Sequence, residues 1–292
     1  MQYLEKFRLA SADAEDSYVL SYPYKLEMGC YSRTNIYPFK IFPQKSLCEL
    51  NFAPITIFYG GNGSGKSTLL NVICQKLGLE RSAPFNNTPF FEEYLELCSF
   101  RESFSKKIPK GSKLIASDDV FDYLLDVRAI NEGIDDRRVR LFEEYEMVKK
   151  SPHRFDSLDD YDRLKKRNEV LSKTKSAYVS ERLGREVVGR SNGESAFAYF
   201  THAIGENALY LLDEPENSLS VKLQEELAEF IENSVRFYGC QFIISTHSPF
   251  MLSMRGAKIY DLDSVPVSVR KWTELENVRI WREFFKKHER EF

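Results

Sequence analysis

The sequence predicts an α/β fold with a mostly parallel core sheet, and three observations predict it. Ala208 to Leu212 and Gln241 to Ser245 are apolar runs of strand length, the pattern of strands buried on both faces. A third run, Ile55 to Tyr59, leads into a glycine loop and then into a helix starting near Lys66. The first ends in two acids, Asp213 and Glu214, and parallel sheets bind ligands outside the carboxyl ends of their strands. Around this core the sequence predicts an N-terminal antiparallel β layer and an inserted helical lobe. The divisions fall at 1–80 for the β layer and glycine loop, 81–190 for the lobe, and 191–292 for the rest of one composite domain.

Taken in order, residues 3–9 and 17–28 read as short strands (Tyr18-Val19-Leu20, Tyr24-Lys25-Leu26), with Ser11 to Asp16 as the turn between them. Tyr37 to Pro43 is aromatic and bracketed by prolines, which suits an extended edge segment. Its rings either pack in the core or offer one face to a nucleotide base. Leu47 to Phe52 leads into the strand before the glycine loop, whose helix runs to about Leu77. Phe90 to Leu97 reads as a short helix, Ile108 to Gly111 as a turn and Lys113 to Ala116 as a strand. From Asp119, with Ser117 or Asp118 as cap, Val120, Tyr123, Leu124, Val127 and Ile130 recur at helical spacing.

Residues 135–180 interleave both charges. Val139, Phe142, Tyr145 and Val148 form one stripe; Leu158, Tyr161, Leu164 and Val170-Leu171 form another, with a break near Ser151-Pro152. This is either a solvated helical hairpin or an arm for a protein partner or DNA, given Arg137, Arg138, Arg140, Lys149, Lys150, Lys165, Lys166 and Arg167. Further on, residues 219–235 read as an amphipathic helix, Lys258 to Leu262 as the last strand, and 273–290 as a helix with Leu275, Val278, Trp281 and Phe285 inward.

Composition bounds the function. A net charge of −3 with 29 % charged residues gives no general attraction to nucleic acid or an anionic membrane. Five scattered cysteines without a C-x-x-C pair argue against a zinc site or a disulfide framework. No apolar stretch reaches the length of a membrane span and no signal-peptide pattern is present, so the expected compartment is the cytoplasm.

The chemistry is concentrated in three motifs. In GGNGSGKST, Gly60, Gly65, Lys66 and Ser67 fill G-x-x-x-x-G-K-[ST], with Gly61 and Gly63 as extra glycines. Glycines let successive N–H groups approach an anion, and the following helix adds its positive end. Lys66 can reach the β- and γ-phosphates, and Ser67 can hold Mg²⁺. Asp213 and Glu214 end a buried strand, where one can hold Mg²⁺ through a water and the other can polarise the attacking water. Thr246-His247-Ser248-Pro249 puts a histidine at the same edge, as a catalytic group or as a structural neighbour of a helix cap. A Ser-x-Gly-Glu turn, Ser191 to Glu194, opens a further helix.

The order glycine loop, helical insertion, SNGE, LLDEPE, STHSP resembles the ATP-binding cassette (ABC) ATPases, and within them the soluble SMC/RecF-like branch of predicted AAA-type ATPases. The resemblance covers residues 36–83 and 186–272. It implies that Gly60, Gly61, Asn62, Gly63, Ser64, Gly65, Lys66, Ser67 and Thr68 are the Walker A loop and that Ser191, Asn192, Gly193 and Glu194 are the signature. It further implies that Asp213 and Glu214 are the Walker B pair, His247 is the switch histidine, and ATP and Mg²⁺ are the cofactors. In such proteins two nucleotides lie between head-to-tail copies, so it also implies a homodimer in the ATP state that acts on a DNA-related or defence-related partner. Two features depart from the pattern. No glutamine occurs between Gln75 and Gln224, leaving Ser117 or Asp118 as substitutes, and Glu216-Asn217-Ser218-Leu219-Ser220 lacks the aspartate of transporter cassettes. A nucleotide-dependent scaffold with little hydrolysis is the alternative. A GTPase is disfavoured because N-K-x-D is absent, and a small-molecule kinase would need neither SNGE nor Glu214.

Overall fold

The computed structural model describes residues 2–21, 36–150, 165, 168–170, 172–183 and 191–292. In chain order these form β1 (Leu4–Arg8), α1 (Ala12–Ser21), β2 (Glu49–Asn51), β3 (Ile55–Tyr59), α2 (Lys66–Leu77), α3 (Phe91–Leu97), β4 (Ser99–Glu102) and β5 (Lys113–Ala116). Then follow α4 (Ser117–Lys150), α5 (Lys175–Ser180), α6 (Asn192–Ala203), β6 (Leu209–Asp213), α7 (Val221–Phe237), β7 (Gln241–Ser245), α8 (Pro249–Leu252), β8 (Lys258–Asp261), β9 (Ser268–Arg270) and α9 (Glu276–Lys287). The chain divides into two compact units, 1–121 with 192–292, and 122–191.

The first unit carries both sheets. One has six strands in the order β5-β6-β7-β3-β8-β9, parallel except for β9; the other has three antiparallel strands in the order β2-β1-β4. The α/β class with a parallel core sheet and an antiparallel layer is therefore as the sequence predicts. Leu209, Leu211 and Ile243 join one core cluster with Leu69, Leu70 and Ile73 of α2, while the alternate residues Tyr210, Leu212, Phe242 and Ile244 are also buried. Strands covered on both faces explain the uninterrupted apolar runs. The side chain of Gln241 ties β1 to the parallel sheet: its Oε1 accepts the Tyr3 and Leu4 N–H groups at 2.7 and 2.9 Å, and its Nε2 donates to the Leu4 carbonyl at 2.9 Å.

Several local expectations are corrected. The segment read as turn and strand at 11–20 is α1, because Ser11 caps it: Ser11 Oγ accepts the Ala14 N–H at 3.2 Å and its carbonyl accepts the Glu15 N–H at 2.9 Å. Tyr37 to Pro43 is not extended. It turns into a short 3₁₀ helix at 43–45, and Phe39 and Phe42 are buried in the core. The helix expected from Asp119 begins at Ser117, and neither Ser117 nor Asp118 is its cap; Asp119 Oδ2 reaches back to the Ala116 N–H at 2.7 Å. The strand at 258–261 is not the last, since β9 pairs with it. Leu275, which caps α9, and Val278 within it are buried as expected, but Trp281 and Phe285 are 51 % and 49 % exposed.

In the second unit, Leu141 and Tyr145 of α4 pack with Val170, Tyr178 and Val179. The Tyr145 hydroxyl donates to the Lys173 carbonyl at 3.0 Å, and the Tyr178 hydroxyl donates to Glu144 at 3.1 Å. Val139 and Ile130, expected on buried stripes, are exposed. Tyr24 to Leu26, the break at Ser151-Pro152, the stripe residues Leu158, Tyr161, Leu164 and Leu171, and the basic residues Lys166 and Arg167 lie outside the described residues.

Candidate nucleotide site

Register places the site. Ala116 of β5 pairs with Asp213 of β6, Asp213 with Ser245 of β7, Ser245 with Phe58 of β3, and Tyr59 with Asp261 of β8. Four parallel strands and β5 beside them therefore end at one level. The segments that follow them, Gly60 to Gly65, Glu214, Thr246 to Ser248 and Leu262 to Ser264, emerge along one edge.

The glycine loop is shaped by two steric demands. A Cβ at Gly60 would stand 2.5 Å from Ser64 Oγ, so no larger residue fits inside the loop. Gly65 enters α2 with φ +94°, a left-handed conformation that costs glycine nothing. Lys66 is only 4 % exposed, and its ammonium donates to the carbonyls of Gly60 and Gly61 at 2.7 and 3.0 Å. It stands 3.4 Å from Glu214 Oε1. Tyr37 is partly buried against the core cluster, with its ring 6.0 Å from that of Phe91, and its hydroxyl donates to Thr68 Oγ at 3.1 Å beside the loop helix.

Ser67 Oγ donates to Asp213 Oδ1 at 3.0 Å, and Ser245 Oγ donates to the same oxygen. Burial, reinforced by the neighbouring Glu214 carboxylate, pushes the Asp213 carboxyl up, and the hydrogen bonds from Ser245 and Ser67 oppose this. A hydroxyl and a carboxylate facing each other beside a phosphate loop are an oxygen-only donor set. That fits Mg²⁺, which takes one or two protein oxygens and completes its shell with phosphates and water. Glu214 sits at φ +47° and ψ 55°, a left-handed conformation rare outside glycine and held here by three bonds. Its N–H donates to the Ser245 carbonyl and hydroxyl, both at 3.1 Å, and Asn217 Nδ2 donates to its Oε2 at 3.0 Å.

His247 follows β7 with its side chain 46 % exposed, and its Nδ1 lies 3.4 Å from Glu216 Oε1. The structure thus brings Lys66, Ser67, Asp213, Glu214 and His247 to one edge. Ser191, Asn192 and Glu194 are exposed at the start of α6, and Gly193 is half-buried. Sequence reading missed two groups. Asp263, just past β8, accepts the Gly61 N–H at 2.8 Å, and the buried Glu216 holds the loop of His247. An acid beside a strand end was the only signal for either.

Residues 112–253, just under half of the chain, match the family described as "AAA domain, putative AbiEii toxin, Type IV TA system". That span contains β5, β6, β7 and the loop of His247, and β3 delivers the glycine loop to the same edge. Over that segment the chain is similar to this family. No curated protein matches it in sequence. Solved structures similar to this chain include an Smc head domain with an extended coiled coil bound to the C-terminal domain of ScpA, from Pyrococcus furiosus. That structure is 14 % identical, with 97 % of this chain and 100 % of the other covered and a TM-score of 0.45. Another is the ATP-binding cassette MJ0796, a dimer in a post-hydrolysis state bound to ADP and Pi: 16 % identical, 78 % and 90 % covered, TM-score 0.35. Among the described residues, no helix is long and apolar enough to cross a membrane.

Proposed function

We propose that the protein binds ATP with Mg²⁺, hydrolyses it, and uses the nucleotide to control association of two copies. The observation that carries this reading is the convergence of Lys66, Ser67, Asp213, Glu214 and His247 at one sheet edge. Loop N–H groups and the start of α2 cradle the phosphates, and the Lys66 ammonium exchanges its loop carbonyls for phosphate oxygens. Ser67 and Asp213 would hold Mg²⁺, which neutralises charge on the β- and γ-phosphates when bound. Glu214 orients and polarises the attacking water, with His247 opposite it. The exposed turn Ser191, Asn192, Gly193 and Glu194 meets the γ-phosphate held by a second copy, with the positive end of α6 behind it.

The client is a DNA-related or defence-related partner. The family's description, which names a toxin of a type IV toxin–antitoxin system, supports the second. The unit at 122–191, which overlaps the lobe expected at 81–190, is the part left to face it. A scaffold with little hydrolysis is favoured by one observation, the lack of any glutamine between Gln75 and Gln224. Steady-state ATP turnover by the purified protein, with and without Mg²⁺ and DNA, tests the reading. Mg²⁺-dependent release of phosphate supports it. Tight ATP binding without turnover supports the scaffold, and absence of ATP binding contradicts both.

A further inference from the structure

We propose that Glu216 is the positioning residue of His247: its carboxylate fixes the imidazole tautomer and aims the second ring nitrogen at the attacking water. This rests on the ATPase reading above. Glu216 is the third residue after Asp213, and its side chain is 4 % exposed. One oxygen does nearly all of its bonding. Oε1 accepts from Thr246 Oγ at 2.5 Å, from the His247 N–H at 2.9 Å and from the Ser248 N–H at 3.3 Å. It also lies 3.4 Å from His247 Nδ1, at ion-pair rather than hydrogen-bond geometry. Oε2 is buried with no hydrogen-bond partner among the described residues. A carboxylate buried and half-satisfied calls for an explanation, and here its geometry supplies one.

Three successive residues of the switch loop converge on that single oxygen, so the loop cannot shift without moving Glu216. Gln224 of α7 braces the pair from behind. Its Nε2 donates to the Leu219 carbonyl at 3.0 Å, and its Oε1 accepts the Ser248 hydroxyl at 2.8 Å. A carboxylate oxygen 3.4 Å from Nδ1 favours, by its negative charge, the tautomer with its proton there and leaves Nε2 as the free lone pair. That is the form able to accept a hydrogen bond from a water. The neighbouring Asn217 holds Glu214 at 3.0 Å, so adjacent residues of one turn position both groups that act on the water. The turn also lies against the start of α6, where a Cβ on Gly193 would stand 3.0 Å from Leu223 Cδ1 and 3.7 Å from the Ser218 carbonyl oxygen.

Two readouts test the proposal. The first is ¹⁵N NMR of the histidine side chains in the nucleotide-free protein, with His247 assigned by the His247→Gln variant among the four histidines of the chain. The expected result is protonated Nδ1 in the wild type, and a shift toward protonated Nε2 in Glu216→Gln, which keeps the shape and an acceptor oxygen but loses the charge. The second is steady-state kinetics, where Glu216→Ala is expected to lower kcat by about 10- to 100-fold with KM little changed, and Glu216→Gln less. Protonated Nε2 in the wild type overturns the proposal, as does unaltered kcat in both variants. The wild-type tautomer needs no variant and no nucleotide. A protein that fails to turn over ATP would therefore remove the ATPase reading while the His247–Glu216 pairing is still measured.

Discussion

The glycine loop at 60–68 and the turn at Ser191 to Glu194 present opposite kinds of surface. The loop is wired inward: the Lys66 ammonium bonds two of its own carbonyls, Asp263 holds the Gly61 N–H, and Tyr37 holds Thr68. The turn at Ser191 to Glu194 has three of its four residues exposed at the head of a helix. A site built to receive its ligand within one chain buries its cation and shapes its loop in advance. A site built to meet a ligand carried by another molecule keeps its donors at the surface. The contrast supports reading the two as halves of one composite site, supplied by different copies.

The largest effect should come from the inward half. Lys66→Ala removes the buried cation from the loop, and ATP affinity is expected to fall by about 100-fold in a fluorescent-nucleotide titration. Unchanged affinity would mean that the loop is not the phosphate site. Ser191→Arg breaks the outward half. It should reduce turnover by about 100-fold while the isolated protomer binds ATP as before, and loss of that binding would show that the turn acts within its own chain. Asp263→Ala frees the Gly61 N–H and should weaken ATP binding by about fivefold, with Asp263→Asn retaining most of the affinity. Tighter binding in the alanine variant would show that the carboxylate opposes the phosphates rather than shaping their cradle.

The smallest effect lies away from both halves. Burial is the main cause that pushes the Glu15 carboxyl up from 4.5 to about 7, while its Oε2 accepts the Lys40 N–H at 2.6 Å. The folded state thus favours the protonated form. This contribution to stability is complete below about pH 4.5 and is lost as pH rises through about 7. Glu15→Gln should therefore melt with the wild type near pH 4.5 and several degrees above it at pH 8. Equal melting curves across that range would show that the carboxyl titrates normally.

The sequence makes legible whatever is local. Buried strands declare themselves as unbroken apolar runs, and the loop declares itself because Gly60 and Gly65 are steric necessities. Glu216, Asp263 and Gln241 stayed hidden because their bonds cross 31, 202 and 237 positions and no periodicity marks them. Periodicity also misled. It gave α9 an apolar stripe, but spacing cannot say whether Trp281 and Phe285 find a covering layer, and both are half exposed. At α1, the polar run Ser11 to Asp16 carried a cap and a first turn rather than a loop, a distinction that rests on a single side-chain bond.

The central claim is that nucleotide joins two copies through the exposed turn. Glu214→Gln should bind ATP, lose turnover by about 100-fold or more, and so hold the associated state long enough to weigh it. Size-exclusion chromatography with light scattering, run with ATP and Mg²⁺, should give twice the monomer mass, and the monomer mass with ADP or without nucleotide. A monomer under all three conditions, with ATP demonstrably bound, would contradict the account.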